Sequence, residues 1–510
     1  MKFRLPNTLT SLKHFLLSLF ILLICSTGRN ASAQVFDFNS RCQQAYKEIF
    51  QLKLKNGQEL LEQEKRAHPE NLIPYFLENY IDFFVLFYNE DPQDYSTLIG
   101  NLDKRLRRMD KGSDKSPFYL FTKSVIHFQW AAVRIKFGYN WDAGWQLRRA
   151  YLLIKENMKK FPSFKPNLVF NGAIEVTVGT IPEGYKWLGN LLGMKGSIKS
   201  GMERLQLFLD SKDNLSQVFR DEASFYYLYL KFYMQNDREG VFEFIKNANL
   251  DVKNNHQLTY LAVNLRLNNQ QSEEAKRILL ERNTSPDYLT TPAWDLEMGY
   301  IAINHLDPDA ATYFERFIKD FKGVFYLKDA LQKLSWHYYL QGNQAQANYY
   351  RSLVREKGST ITDADQQALK ESESGRWPNK VLLQARLLND GGYHSEALRL
   401  LQGKSLTDFN TTEDKLEFAY RVGRIYDDMN RDEEAILFYK QSIVLGQNRK
   451  EHFAARAALQ IGYIYESRKE KAEALTWFDR CLKMNDHDFK NSLDQRAKAG
   501  IERCSDPGGD

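Results

Sequence analysis

The stretch PEGYKWLGNLLGMKGSIKSG, residues 182–201, has the composition of a loop that could hold a phosphate group. It contains five glycines and three lysines, and the backbone N–H groups of such a loop can cradle a phosphate beside a lysine. The known loop of this kind requires the spacing G-x-x-x-x-G-K-[ST] between a strand and a helix. Here only three residues separate Gly189 from Gly193, and Gly196 follows Lys195 directly. Although residues 176–181 could pass for a short strand, the spacing argues against a nucleotide site.

A turn between two helices explains the same stretch better. Pro182 suits the first turn of a helix, and the residues up to 192 carry an apolar stripe at helical spacing. Gly193 is placed to end this helix, and Gly196 to allow the turn into a second helix through residues 205–209. A membrane insert is excluded because Glu183 and several lysines interrupt the apolar residues.

Other arrangements that carry out chemistry are also missing from the sequence. Of the nine histidines, no two are three or four residues apart, so no helix presents a paired-histidine face to a metal. There is no G-x-S-x-G hydrolase motif and no calcium-binding loop. The sequence therefore predicts no catalytic residue, no metal and no cofactor, and an enzyme with scattered catalytic residues is the third choice of function.

Two segments near the C terminus, residues 418–442 and 457–481, repeat one pattern of small and aromatic residues at an offset of 39. In each segment a glycine is followed by a tyrosine at three, an alanine at twelve and an aromatic residue at sixteen positions. The matched pairs are Gly423 and Gly462, Tyr426 and Tyr465, Ala435 and Ala474, and Tyr439 and Phe478.

This spacing predicts a pair of packed antiparallel helices. A glycine and a tyrosine three apart share one face of the first helix, and the alanine falls on the second helix beyond a polar turn. Small residues at both positions let the helices approach closely, and the aromatic residue fills the space beside that contact. The pattern is that of the tetratricopeptide repeat, so the fold class expected is all-α, an α-solenoid of helical hairpins.

Weaker copies of the pattern lie upstream. The hairpins are marked by Ala385 and Ala397, by Ser335 and Ala347, by Gly299 and Ala311, and by Ala275. Alanines 275, 311 and 347 are spaced 36 apart, whereas the next step is 50. The divisions expected are a signal peptide at 1–33, an irregular helical region at 34–215, a degenerate array at 216–357, a linker at 358–380 with a short helix at 363–373, a C-terminal array at 381–504, and a disordered tail at 505–510.

The first 33 residues have the layout of a secretory signal. Lys2, Arg4 and Lys13 precede an apolar run at 15–25, and the small residues Ala-Ser-Ala follow at 31–33. The run is short for a bilayer span, which needs about 20 residues. An uncleaved anchor and lipidation of Cys25 stay open as alternatives, and export to the periplasm or outer membrane is expected.

Charge argues against nucleic acid as a partner. The chain has 70 basic and 65 acidic residues; the first 33 hold four basic residues and no acids, which leaves 66 against 65. The basic cluster at 104–111 is expected to be a solvated helix face. Cys42, Cys481 and Cys504 remain after the signal, and a bridge between the last two is left open.

Several segments resemble exported tetratricopeptide proteins of the Bacteroidetes group. They are residues 182–196, 126–130, 382–393 and 490–503. The resemblance implies a solenoid whose first helices line a groove, and contacts in the family occur six and three residues before, and one and four after, the glycine position. Those offsets give Asn379, Leu382, Arg386 and Asn389; Glu417, Tyr420, Arg424 and Asp427; and Arg456, Leu459, Tyr463 and Glu466.

The function expected is a non-catalytic scaffold or adaptor that mediates protein–protein interaction in the cell envelope. Its partner would be a protein or peptide, with peripheral association with the outer membrane as a further expectation. Arg386, Arg424 and Tyr463 would form one row along the groove, or else be ordinary solvated residues. The alternative is a structural component of an outer-membrane or periplasmic assembly.

Overall fold

A computed structural model describes residues 34–179, 193–235 and 237–505, and these residues are almost entirely helical. They form no β-strand, and Val35 and Asn71 make a single parallel β-bridge. The all-α prediction is confirmed. The helices are α1 Ser40–Phe50, α2 Leu54–Ala67, α3 Ile73–Asn89, α4 Pro92–Leu98, α5 Asn101–Met109, α6 Phe118–Lys136, α7 Asn140–Lys160, α8 Pro166–Gly179, α9 Ile198–Leu209, α10 Asn214–Val218, α11 Arg220–Met234, α12 Arg238–Asn247, α13 His256–Asn268, α14 Ser272–Glu281, α15 Ala293–Asn304, α16 Ala310–Asp320, α17 Leu327–Leu340, α18 Gln344–Glu356, α19 Asp363–Glu373, α20 Lys380–Gly391, α21 His394–Leu401, α22 Thr412–Asp428, α23 Asp432–Gly446, α24 Phe453–Ser467, α25 Lys471–Lys483 and α26 Lys490–Ser505.

Most of the hairpins share one turn geometry. In the hairpin of α22 and α23, Asn430 has a φ of 57° and lies seven residues after Gly423 and five before Ala435. A left-handed residue at this point ends the first helix and reverses the chain. The same spacing of inner residue, left-handed residue and second small residue recurs in Ala45, Leu52 and Gly57; Ala131, Gly138 and Ala143; Val263, Gln270 and Ala275; Ser335, Gly342 and Ala347; Ala385, Gly392 and Ala397; and Gly462, Lys469 and Ala474.

One predicted repeat position is wrong by a single residue. In the hairpin of α15 and α16, the fully buried alanine is Ala310, whereas Ala311 is only half-buried. Leu306 has the left-handed conformation seven residues after Gly299, as elsewhere. Three residues separate Leu306 from the start of α16, against one residue in the hairpins listed above. The buried alanine nevertheless lies four residues after Leu306 instead of five, so the even spacing of 36 through Ala311 does not mark equivalent positions.

The small residues do bring the two helices of a hairpin together. A Cβ atom built on Gly423 would lie 2.8 Å from the ring of Tyr439, and one on Gly462 would lie 2.5 Å from Phe478. Gly299 has the same relationship to Phe314, at 2.8 Å. The aromatic side chain therefore fills the space that a larger residue on the first helix would need.

Residues 358–380 contain the helix expected there, α19, with the same bounds. This segment is packed against α17 and α18. The buried Asp365 carboxylate accepts hydrogen bonds from the backbone N–H groups of Tyr326, at 2.8 Å, and Asp329, at 3.1 Å. The segment thus fixes the start of α17.

The glycine-rich stretch has no strand before it. Residues 176–179 are the last turn of α8, and Gly196 lies so close to α8 that an added Cβ would be 2.4 Å from the Glu175 carbonyl oxygen. The second helix of the expected turn is α9, which begins at Ile198. The first helix, predicted from Pro182, lies outside the described residues.

The solenoid turns tightly enough for non-adjacent hairpins to touch. Helix α20 packs against α15 as well as against its own neighbours. The Gln270 amide donates a 2.8 Å hydrogen bond to Asp428, and the Tyr393 hydroxyl donates one of 2.6 Å to Glu273. These contacts join the turn after α13 to the hairpins of α20 and α22 and close the inner face of the array.

The N-terminal helices join this array through a buried glutamate. Glu90, at the end of α3, pairs with Lys136 at 2.7 Å. Its carboxylate also accepts hydrogen bonds from the backbone N–H groups of Val324 and Phe325, at 3.2 and 3.3 Å. A second buried glutamate, Glu222, holds the aromatic core of this half, because the hydroxyl of Tyr46 donates to it at 2.6 Å.

Three further features bear on the sequence predictions. Cys42, Cys481 and Cys504 are buried and free, with no bridge between the last two. In the basic cluster, Arg105 is buried and pairs with Asp82, so that helix face is only partly solvated. Among the described helices, none is long and apolar enough to span a membrane.

Candidate protein-binding groove

The inner helices of the hairpins enclose a long cavity with a volume of about 2330 Å³, here called the interior groove. Its wall runs from Phe87 of α3 to Arg503 of α26 and is built mainly by α11, α13, α15, α17, α19, α20, α22, α24 and α26. The first helix of each hairpin faces inward because its other face packs on the second helix. An extended chain segment fits such a space better than a compact small molecule.

The predicted row of Arg386, Arg424 and Tyr463 lies along this wall. Each side chain is one residue after the small residue of its own hairpin. The predicted row covers three hairpins, and the same offset exists in the hairpins upstream. Applied to Ser335, Gly299 and Val263, it also finds the upstream members of the row, which line the groove as well: Trp336, Tyr300 and Asn264.

The other predicted residues divide into two groups. The first group lines the groove and comprises Glu417, Tyr420, Asp427, Arg456, Leu459 and Glu466. The second group does not reach it. Asn379 caps α20, accepting from the N–H groups of Val381 and Leu382, and Leu382 itself is fully buried. Asn389 is buried and donates a 2.8 Å hydrogen bond to Asp428.

Arg386 and Arg424 are already paired with acids. Arg386 lies 3.6 Å from Glu371 and 3.7 Å from Asp390, and its guanidinium lies 4.9 Å from the Trp336 ring centre. Arg424 pairs with Asp428 at 2.8 Å. Both side chains are only about a quarter exposed. They are structural parts of the wall, not the ordinary solvated residues considered from the sequence.

Two other arginines of the groove are free of such pairs. Arg456 of α24 and Arg496 of α26 are exposed and form no ion pair with any acidic residue that the structure describes. The positive charge around them is also felt by His452. Burial, and then the cations Arg456, Arg421, Arg386 and Lys370, lower the pKa of His452 well below its ordinary value, so this ring is neutral.

Acidic residues at the same end of the groove are hydrogen-bonded or ion-paired with neighbouring side chains. Burial raises the pKa of Asp427 to about 6, and the Tyr439 hydroxyl donates a 2.8 Å hydrogen bond to it. Glu466 forms a two-bond pair with Arg503, at 2.7 and 2.8 Å. The unpaired charge at this end is therefore positive, and an acidic segment of a partner would complement it.

The opposite end of the groove is walled by tyrosines that the sequence analysis did not single out. They come from four successive inner helices and their entry loops, and two of them, Tyr229 and Tyr326, are 43 and 40 % exposed. The Tyr229 and Tyr233 rings lie 4.8 Å apart, one turn apart on α11. The set, here called the tyrosine box, is Tyr229, Tyr233, Tyr260, Tyr300 and Tyr326.

A buried carboxylate lies within the tyrosine box. Glu297 of α15 lines the groove yet is only 3 % exposed. Burial raises its pKa to about 7, and the Asn264 side chain, which bonds it, works in the opposite direction. No basic side chain of the described residues forms an ion pair with Glu297. Another acid of the wall, Asp329, accepts a 2.7 Å hydrogen bond from the Tyr300 hydroxyl.

Within the described ranges, no three His, Cys, Asp or Glu side chains are grouped so that they could hold a metal ion. The groove instead offers flat aromatic faces at one end and guanidinium groups at the other. Such groups are suited to contact the side chains of a bound polypeptide.

Comparison with known proteins agrees with the hairpin geometry. Residues 416–444 and 455–488 match the tetratricopeptide repeat, and repeats of this type generally mediate protein–protein interaction. No curated protein matches the chain.

Three solved structures are similar in fold at low identity. The P58(IPK) tetratricopeptide domain is 13 % identical over 80 % of this chain and 94 % of its own, with a TM-score of 0.21. The APC/C hetero-tetramer Cut9–Hcn1 is 12 % identical, over 91 and 95 %, with a TM-score of 0.25. Yeast Tom70 is 15 % identical, over 90 and 98 %, with a TM-score of 0.23. At these scores nothing about this chain follows from the three structures.

Proposed function

We propose that this protein is an exported, non-catalytic scaffold of the cell envelope that holds an extended segment of a protein partner in its interior groove. The observation that carries the proposal is the continuous row from Asn264 to Tyr463. Six consecutive hairpins contribute the same position to one wall, so a bound segment would meet a regular series of side chains. Tetratricopeptide repeats at residues 416–444 and 455–488 support a protein as the ligand.

Charge suggests the nature of the segment at the C-terminal end. Arg456 and Arg496 lack internal partners among the described residues, and guanidinium groups bind carboxylates through two parallel hydrogen bonds. A partner with acidic residues here would gain paired, partly desolvated contacts. Arg386 and Arg424 would shape the wall and set the register, because their own charges are already compensated.

The location in the envelope rests on the first 33 residues, whose layout is that of a secretory signal. Cleavage after the Ala-Ser-Ala sequence would leave Gln34 as the first residue. Mass spectrometry of the native protein should find Gln34 at the N terminus, and intact residues 2–30 would contradict export.

The groove is tested by two matched substitutions on one helix. Arg496 and Lys498 both lie on α26 and are both exposed, but only Arg496 lines the groove. We expect Arg496→Glu to reduce capture of the partner from an envelope extract, whereas Lys498→Glu should leave capture unchanged. Both variants should keep the circular dichroism of the wild type, since exposed substitutions usually change stability by less than about 0.5 kcal/mol.

The same experiment distinguishes an adaptor from a structural component of an assembly. A partner that dissociates on washing and depends on Arg496 supports an adaptor. A stoichiometric envelope complex that neither substitution affects would place the binding surface outside the groove and favour a structural component of an assembly.

A further inference from the structure

The tyrosine box has aromatic walls and a buried carboxylate, and no cation of the described residues forms an ion pair with that carboxylate. Its walls are aromatic faces, which carry negative charge density and attract cations. Its floor is the Glu297 carboxylate, which is nearly buried and has no ion-pair partner among the described residues. The Asn264 side chain hydrogen-bonds this carboxylate, but a buried carboxylate without an ion-pair partner is costly to ionise, and a cation from a ligand would offset that cost.

The backbone conformation of Tyr326 leaves its ring exposed in the wall of the box. Tyr326 has a φ of 60°, a left-handed conformation that is strained for a bulky residue. Asp365 fixes this conformation by accepting the Tyr326 N–H at 2.8 Å. The Tyr326 ring is left 40 % exposed in the wall, where a ring that served the core alone would be covered.

Lys333 of the same wall is already paired with Asp329, at 3.3 Å, and two hydroxyl groups of the box are bonded to neighbouring side chains. The Tyr233 hydroxyl donates to Asn264 at 2.9 Å, and the Tyr300 hydroxyl donates to Asp329. These bonds occupy the polar hydrogens of both hydroxyl groups. Burial, and then the Glu297 charge, raise the pKa of Tyr260 well above its ordinary value, so the hydroxyl stays neutral.

We propose that the tyrosine box binds a lysine side chain of the partner segment, with the ammonium group between the tyrosine faces and paired with Glu297. This inference rests on the proposed function, because the lysine belongs to the segment held in the groove. A lysine fits because its thin aliphatic stem can pass between rings while its compact ammonium group reaches a buried oxygen. A divalent metal fits less well, since the described residues here form no cluster of metal ligands.

The test is a selection of random dodecapeptides displayed on phage, performed on the immobilised protein. We expect the recovered peptides to carry lysine at one fixed position, enriched about tenfold over the starting library. Glu297→Gln should remove this enrichment, because the amide keeps the shape of the side chain and loses the negative charge. Peptides recovered without a preferred lysine would overturn the inference and leave the proposed function intact.

Glu222 provides a matched control for the variant. It is also 3 % exposed, with a pKa that burial raises to about 7, and it also accepts hydrogen bonds from tyrosines. It does not line the groove. Glu222→Gln should therefore preserve the lysine preference, and circular dichroism should verify that both variants are folded. Loss of the preference in both folded variants would show a general structural effect and contradict the assignment.

Competition distinguishes a lysine side chain from a free ammonium compound. N-acetyl-lysine amide should displace the selected peptides at lower concentration than tetramethylammonium chloride or sodium chloride does. Stronger displacement by tetramethylammonium would identify the box as a site for small ammonium compounds and overturn the proposal. Recovery of no peptide at all would contradict the proposed function, and this inference with it.

Discussion

Phe478 packs its ring directly against Gly462, so that a Cβ atom on the glycine would lie 2.5 Å from the ring. We expect Gly462→Ala to destabilise the protein by about 1–3 kcal/mol, because the added methyl group must displace a fully buried ring. The better helix propensity of alanine offsets only about 1 kcal/mol. Urea unfolding measures the change. Gly100→Ala is the control, since a Cβ there meets no atom within 4 Å, and an equal effect of both substitutions would contradict this packing.

Removing the Phe478 ring should destabilise the protein more than adding a methyl group beside it. Phe478 is fully buried and also lies against Gly500, so Phe478→Ala should leave a cavity and destabilise by about 3–5 kcal/mol. Contacts in a solenoid are local, and hydrogen exchange should therefore accelerate first in α24, α25 and α26. Equal acceleration in α1 to α8 would refute the view that the array opens from its C-terminal end.

The buried Glu297 should make stability depend on pH. Its folded pKa of about 7 lies above its ordinary 4.5, so the folded state keeps a proton that the unfolded state has lost. Stability from this group is complete below about pH 4.5 and declines as pH rises to about 7. The difference corresponds to about 3 kcal/mol.

A comparison with Glu297→Gln isolates that contribution. Asp329 and the tyrosines of the box are present in both proteins, and the variant has no proton to lose at position 297. We expect the wild type to lose up to about 3 kcal/mol relative to the variant between pH 4.5 and 8, measured by urea unfolding. A difference between the two proteins that is independent of pH would show that Glu297 is not held protonated.

Asp365 should be needed for the conformation of Tyr326. Asp365→Ala removes the acceptor for two backbone N–H groups, those of Tyr326 and Asp329, and should cost about 2–5 kcal/mol. It should also weaken any lysine preference, because Tyr326 loses its support. Asp363→Ala, an exposed position in the first turn of the same helix, is the control, and denaturant unfolding of both variants gives the comparison.

The sequence predicted the C-terminal hairpins because their packing depends on residues close together in the chain. Gly423 and Tyr439, sixteen residues apart, are sufficient to specify how two helices approach. Ala131 and Ala143 also have the spacing of twelve. Two alanines at this spacing are too common to identify a repeat without the left-handed conformation of Gly138 between them. The different connection after Leu306 likewise leaves no signal in residue types.

The groove could be predicted only in part. The offset that placed Arg386 and Arg424 on one wall is a local property of each hairpin. The pairing of Arg386 with Glu371 of α19 depends on how neighbouring helices are rotated, whereas Arg424 pairs with Asp428 one turn along its own helix, at a spacing that is visible in the sequence. The tyrosine box depends on the same rotation and on the contact of Asp365 with Tyr326, two residues on different helical units. Contacts of this kind depend on the rotation between successive repeats, so the sequence of a single repeat does not specify them.

The central claim is that the partner lies inside the groove, and site-specific photo-crosslinking tests it directly. Tyr229 and Tyr349 are both exposed tyrosines, at 43 and 55 %, but only Tyr229 lines the groove. Each would be replaced in turn by p-benzoylphenylalanine, and the protein irradiated in an envelope extract. We predict a discrete covalent adduct from position 229 and none from position 349. An adduct from position 349 alone would place the partner on the outer surface and contradict the account.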